Sequence, residues 1–437
     1  MGTVILNQVK FTIGGPETLA GSGHALESVV PLRGTPTIDK KPEFVRDPVI
    51  SGINMKSGSY VVVNNVAGGI PLAPRACAGF GKVVKSILGS EVTPVQIGAM
   101  IRFRYTGASA SCKIVTNATD NTIIATKGVL GSETADTDFG TGGTIDCDTA
   151  AYDTVDELVA AIEGYASYAC EKIFEQSASY NIATNKVIAI TNKQAKNTWC
   201  YVLFASTTSG VYAHEMYFDP TATTEHGTYT TQLDGKYDNF LYVGGVVNTL
   251  KLNAALKGLV EADAEMLGMT ETIGQTASVL TLPDNDPLIF HTGSFSINED
   301  NYTFIRNMSL DINQNQNPDG YGQGSTLRQY HQRGECVISG DAQVRLDATA
   351  YALRADMLAG TRAAISYYFK GNQNFGTTSI PEMMLVELPY CTLTGFEFPE
   401  NNGVFDAKVT YDVDTIRGTR YNQPITITLL TTDTVAY

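Results

Sequence analysis

A strand, a helix and a hairpin occur twice in this chain, in the same order, on either side of a long interruption. That repetition limits the folds open to it. Thr249 to Met266 reads TLKLNAALKGLVEADAEM and Thr392 to Val409 reads TLTGFEFPENNGVFDAKV. Both begin Thr-Leu, and after a polar turn each resumes at a glycine with the same residue classes, Gly258 to Ala262 against Gly403 to Ala407. Two β-prone runs about a glycine-bearing turn spell a hairpin. Before each hairpin stand a β-rich run and a short amphipathic helix stopped by glycine. In the first copy these are Gly58 to Asn64, then Cys77 to Leu88 with Gly89. In the second they are Gly334 to Ser339 with Val344 to Leu346, then Ala350 to Ala359 with Gly360. Agreement in order, type and terminator predicts an internal duplication of a β unit. A duplicated β unit suggests assembly more readily than catalysis.

The pattern also predicts the domain division of the 437 residues, a length beyond the usual single core. Residues 1–41 alternate short β-like pieces, such as Val4 to Ile13, with Gly and Pro, including Pro31 and Pro36; Pro42 and Pro48 follow. They read as an extended arm lying on a neighbouring subunit. Residues 42–96 plus 221–280 form the first repeated domain, with Phe80, Val83, Val84, Ile87 and Leu88 on one helical face and Lys82 and Lys85 opposite. Residues 97–220 form a small α+β or Ig-like insert, placed outside the main body and dispensable to it. Its helix runs from Thr154 to Ile173 behind a capping box, Thr154 and Glu157, and its core holds the only tryptophan, Trp199. Residues 281–420 form the second repeated domain, and 421–437 a β-prone tail.

Composition narrows the function. The 45 acidic residues against 30 basic leave −15, a surface that repels nucleic acid yet would let a polyanion slide past unbound. Charged residues are sparse, and 41 glycines with many Thr, Asn and Ser punctuate short apolar runs, the habit of β-sandwiches and barrels. The seven cysteines form no CxxC pair and their odd number leaves at least one unpaired; Cys77, Cys170 and Cys391, in apolar segments, read as buried free thiols of a protein assembled in a reducing cytoplasm. No apolar run reaches a membrane span, and the N-terminus has no long apolar signal core.

A search for chemistry yields no catalytic, cofactor or metal residue. His24, His214, His226, His291 and His331 lack the HxxxH or HExxH spacing of a metal site. There is no GxSxG elbow and no GxxxxGK loop, and Gly320 to Gly324 has the composition of a phosphate loop without its spacing. Asp136, Asp138 and Gly140 begin like a calcium loop but lack the third ligand and the distal Glu, which leaves a solvated acidic loop. Arg328, Arg333, Arg345, Arg354 and Arg362 concentrate guanidinium groups in the second copy, where they suit Asp and Glu across subunit contacts.

Ile305 to Ile312, the helix Ala350 to Gly360, the two hairpins, and the block from Pro42 to the Gly79–Gly89 helix together resemble the major tail tube proteins of long-tailed bacteriophages, siphophage type. Phe240 to Met269, in which a glycine pair leads into a strand of polar–apolar alternation, is similar to a segment of that family as well. The resemblance covers most of residues 40–96 and 236–420 and leaves out the insert. It implies a mainly β fold: two related β-barrel or sandwich domains, each with a flanking helix, whose strands join into a continuous inner barrel. It implies stacked rings forming a hollow conduit with an acidic lumen for genome DNA, with arms and hairpin loops touching the next ring. The expected partners are the chain itself, in rings of three two-domain subunits or alternatively six, and other phage tail proteins; DNA passes without specific binding, and there is no membrane. The expected location is the virion tail, after assembly in the host cytoplasm. The expectation is a structural protein, not an enzyme. A carbohydrate- or cell-surface-binding virion protein using the insert for recognition is the alternative, and a hydrolase has no paired motif behind it.

Overall fold

Alternating apolar and polar residues bury every second side chain, and in this chain that alternation recurs in enough segments to build an almost wholly antiparallel β protein. The structure, a computed structural model, describes residues 9–46, 59–196, 198–220, 227–235, 237–298, 300–317, 319–401, 403–414 and 423–437. The first unit comprises β1 (Lys10–Pro16), β2 (Leu26–Val30), β3 (Asp39–Arg46), β4 (Ser59–Leu72), α1 (Ala78–Leu88), β5 (Tyr229–Asp234), β6 (Asn239–Ala255) and β7 (Val260–Gly268). The second comprises β8 (Ile289–Ile297), β9 (Asp300–Asn301), β10 (Ile305–Asn313), β11 (Val337–Arg345), α2 (Ala348–Ala359), β12 (Arg362–Asn374), β13 (Pro381–Glu397) and β14 (Val404–Val413).

Strand pairing repeats between the units. One layer runs β2-β1-β5-β6 in the first and β9-β8-β12-β13 in the second. The other runs β3-β4-β7-β6 and β10-β11-β14-β13. The long strands β6 and β13 therefore serve both layers of their unit. Registers agree residue by residue: Asp39 opposes Ala67 as Asp311 opposes Ser339, so counterparts in these hairpins stand 272 positions apart. At that spacing Gly68 matches Gly340, and both must be glycine. A Cβ on Gly68 would lie 2.5 Å from the Ile38 nitrogen, and one on Gly340 2.3 Å from the Ser309 oxygen. The Gly69 amide donates to Thr37 Oγ1 and the matching Asp341 amide to Ser309 Oγ.

Both helices end where their glycines predict, with positive φ at Gly89 and Gly360. The Thr-Leu correspondence drawn from sequence is offset from the structural one. Each long strand carries a bulge, at Asn248 in β6 and Thr394 in β13, and aligning the bulges sets Thr249 against Gly395 rather than Thr392. A bulge adds a residue without changing composition, so the sequence pattern hides it.

Residues 10–38 are built into the first unit. β1 lies between β2 and β5, and Phe11, Ile13 and Val30 are buried in the main core. Lys82, on the expected polar face of α1, is buried too and pairs with Glu27. That face is covered because Gly79 and Gly81 let Val29 of β2 and the Tyr437 ring come close; a Cβ on either would lie 2.0 Å from them. The C-terminal strand β15 (Thr426–Thr431) pairs with the strand Tyr212–Phe218 and with β13, tying the second unit to the segment between α1 and β5.

Between the units' strands, Val95–Tyr105 is flanked by Tyr168–Glu175 and Cys200–Ala205, and a second sheet is built on Ser111–Asn117 and Thr122–Val129. The helix here covers Val155–Gly164 with its capping box intact, and the run beyond it that sequence assigned to the helix is strand from Tyr168. Tyr168, Cys170 and Phe174 are buried, and pairing with the Val95–Tyr105 strand overrides local helical preference. This region has its own apolar cluster around Phe103, Phe139 and Leu158.

Trp199 lies elsewhere, in the main cluster, with the guanidinium groups of Arg102 and Arg104 over its ring, 4.3 and 4.8 Å from the centroid. Phe174 and Tyr201 join the same cluster, and Lys193 reaches Glu387 of β13 at 3.0 Å. The inner sheet is thus buried on both faces, one against its own cluster and one against the second unit. Trp199→Ala should lower global stability by about 3–5 kcal/mol in denaturant titration. An unchanged midpoint would show that this contact contributes nothing to the fold.

Candidate functional site

The residues that carry chemistry are dispersed or occupied. Among the described residues no three His, Cys, Asp or Glu side chains could share a metal ion, and no helix is long and apolar enough to cross a membrane. In the calcium-like loop the Lys127 ammonium lies 2.7 Å from the buried Asp136 carboxylate and bonds Asp138 as well, so a protein cation stands where the metal would. Tyr168 donates to the other Asp136 oxygen.

His214 is fully buried, bonded to Glu91 at 2.8 Å and to the Asp433 carbonyl oxygen at 3.0 Å, with the Tyr437 ring stacked on it. His331 is buried against the Gly244 carbonyl oxygen, and burial pushes its imidazole down to about 4, leaving it neutral. His24 accepts from the Gly15 amide, His291 lies exposed on β8, and His226 is outside the described residues. The Gly320–Gly324 stretch is a turn, with Tyr321 bridged to Arg328. The five arginines do not converge: Arg328 is buried over Tyr321, Arg333 lies over Phe218, Arg345 over Phe304, Arg354 is exposed on α2, and Arg362 approaches Asp414 at 3.6 Å.

What the fold presents is a sheet with two open edges. β6 pairs with β10, Thr249 opposite Asn313 through Ala255 opposite Asn307, and this joins the two four-stranded layers into β3-β4-β7-β6-β10-β11-β14-β13. Among the described residues β3 pairs only with β4, and Gly395–Glu397 of β13 pairs only with β14. An unpaired edge offers backbone donors and acceptors to another strand, and its neighbours commonly guard against wrong partners. Here the guards are Lys40, Lys41 and Pro42 on one edge and Pro399 beside the other.

One face of this sheet is apolar and buried, through Leu250, Leu252, Ala262, Ala264, Leu310 and Val409. On the opposite face stand Glu261, Asp263, Glu265, Asp311, Asp341 and Asp412, relieved by Lys251, Lys408 and Arg33, which pairs with Asp263 at 2.6 Å and Glu261 at 3.7 Å, and none of these is buried. Row partners such as Asp263, Lys251 and Asp311 lie directly opposite one another across three strands. The ends of the sheet are apolar. Phe44, Val45 and Tyr60 are exposed at one end, and Leu256, Phe304 and Phe405 at the other. Exposed apolar groups thus stand at both ends of a sheet whose edges are open among the described residues, the kind of surface that takes part in protein–protein contacts. The edges and ends could be found in sequence only after the strand order was known, because no single residue type marks them.

Over residues 12–415 the chain matches the sequence model of a family described as phage tail tube protein. No curated protein matches the chain.

Replacing Phe398, a half-exposed side chain just beyond the free β13 edge, with Lys should leave the circular dichroism and melting temperature of the isolated subunit unchanged while abolishing self-association, measured by sedimentation velocity. Unaltered association would remove this edge from the assembly surface.

Proposed function

We propose that this chain, which belongs to the phage tail tube protein family, polymerises as stacked rings into the hollow conduit through which genome DNA leaves the virion. It is a structural subunit of a bacteriophage tail. The observation that carries the finer reading is the β6·β10 joint, at which two units with the same strand order already sit side by side within one chain. The same operation applied once more brings the free β13 edge of one chain to the free β3 edge of the next. Counterparts across that joint would be Gly395 opposite Lys41, Phe396 opposite Lys40 and Glu397 opposite Asp39, with Phe398 opposite Ile38 continuing the buried row. Glu397 opposite Asp39 sets like charges together, and Lys408 opposite Glu397 offsets them.

Each chain then supplies two of six similar units, and a ring takes three chains. The acidic face of the continuous sheet turns to the lumen. Three chains of −15 each give a wall to which a polyanion finds no attractive patch, so DNA slides past rather than sticking. The apolar ends of the sheet meet the rings above and below. The region 97–220 sits on the exterior, and assembly takes place in the host cytoplasm, where the seven free thiols, all described and none paired, stay reduced.

Native mass spectrometry of the smallest ring, with class averages from negative-stain microscopy, should give a mass of three chains and a pseudo-sixfold outline. Duplex DNA should show no appreciable affinity for assembled tubes at physiological salt. A ring of six whole chains would contradict the repeated joint, and tight DNA binding would contradict the smooth conduit.

A further inference from the structure

In the second unit the hairpin continues past β10 and β11, through the bridges Asn317 to Gln332 and Tyr321 to Arg328, and leans back over the first unit. The Gln316 amide donates to Oδ1 of the bulge residue Asn248 at 2.9 Å, Gln314 Nε2 donates to the Ile87 carbonyl at the end of α1, and the Asn64 amide donates to the Thr326 carbonyl at 2.7 Å. Ile87 itself is fully buried in the main core.

Each element of that contact has a counterpart that lies exposed among the described residues, with Thr394 Oγ1 3.3 Å from Thr410 Oγ1. Asn248 corresponds to Thr394, the exposed bulge residue of β13. Ile87 corresponds to Leu358, also two residues before the terminal glycine of its helix, and Leu358 is 70% exposed. The covering hairpin corresponds to the arms of β3 and β4, since Gln316 matches Phe44 at the common spacing of 272, and both hairpins slip register by one residue beside that position. These arms carry Phe44 and Tyr60 at 59% and 65% exposure.

We infer that in the assembled tube the β3–β4 arms of one chain, Pro42–Val45 and Tyr60–Asn64, lie across the α2 terminus and the β13 bulge of the adjacent chain in the same ring. The Phe44 amide then donates to Thr394 Oγ1, as Gln316 does to Asn248, and Phe44 and its neighbours bury Leu358. Pro42, matching Gln314, has no amide or side-chain donor, so this copy of the contact is the more apolar one. The inference rests on the ring proposed above and adds that these arms act within the ring plane, where family resemblance alone would send hairpin loops to the next ring.

The Phe44→Cys and Thr394→Cys substitutions, combined in one full-length chain with the half-buried Cys336 changed to Ser, test it. The Gln316 nitrogen lies 2.9 Å from Asn248 Oδ1, and the cysteines at the counterpart positions should close under mild oxidation of assembled protein. Non-reducing electrophoresis should give a ladder that ends at the number of chains in one ring, and neither single cysteine should give it. Rings visible by microscopy without cross-links, or a ladder running past the ring number, would overturn the in-plane contact while leaving the ring itself intact. In the unaltered chain, hydroxyl-radical labelling of Phe44, Tyr60 and Leu358 should be lost on assembly. Leu358 still labelled in intact rings would overturn it as well.

Discussion

The backbone hydrogen bonds between β6 and β10 are the constraint on which the rest of the architecture depends. They run from Thr249 with Asn313 to Ala255 with Asn307 and turn two four-stranded layers into one sheet. Because the layers have the same order, joining them at this edge fixes what remains at the other two: β3 and a stretch of β13, each with a strand on one side only among the described residues. Such edges are a hazard in an isolated protein and a means of assembly in a polymer, and the difference lies in whether the partner is specified. In the proposed ring the internal joint specifies it, since chain and neighbour would meet through counterparts of strands already paired within the chain.

The second layer of each unit and the helices keep that sheet rigid. β6 and β13 bend from one layer into the other, so the edge residues are held by strands anchored deep in the core rather than by loops. β15 pairs with both the Tyr212–Phe218 strand and β13, while Tyr437, stacked on the buried His214–Glu91 pair, fills the notch at Gly81 of α1. The region bearing Trp199 is braced in the same way, by Arg102 and Arg104 on the ring and by Lys193 on Glu387. Its inner face is therefore part of the body's core, which is why the expectation of a separable insert meets a shared interface.

Much of this was legible in the chain because the signals were local. Glycines at 89 and 360 end their helices, Thr154 with Glu157 caps a third, and the two hairpins sit where alternation and turn residues place them. What sequence missed depends on contacts between distant segments. Lys82 reads as a solvated residue on an amphipathic helix and is instead buried against Glu27, fifty-five residues earlier. The prolines and glycines before Pro42 read as an arm, yet Phe11 and Ile13 complete the first unit because β5 supplies a partner more than two hundred positions later. Tyr168 to Ile173 follows a helix without a break in apolar pattern and becomes strand because Val95–Tyr105 offers an edge. The assembly site was invisible for a further reason: an unpaired edge is defined by a missing partner, which no residue pattern records.

Amide hydrogen exchange, compared between dissociated subunits and assembled tubes, tests most directly the claim that the internal joint is the template for the joint between chains. Strong protection gained on assembly at Asp39–Lys41 and at Gly395–Glu397, with the β6·β10 amides protected equally in both states, is the predicted result. Tubes in which both of these edges exchange as freely as in the isolated subunit would contradict it.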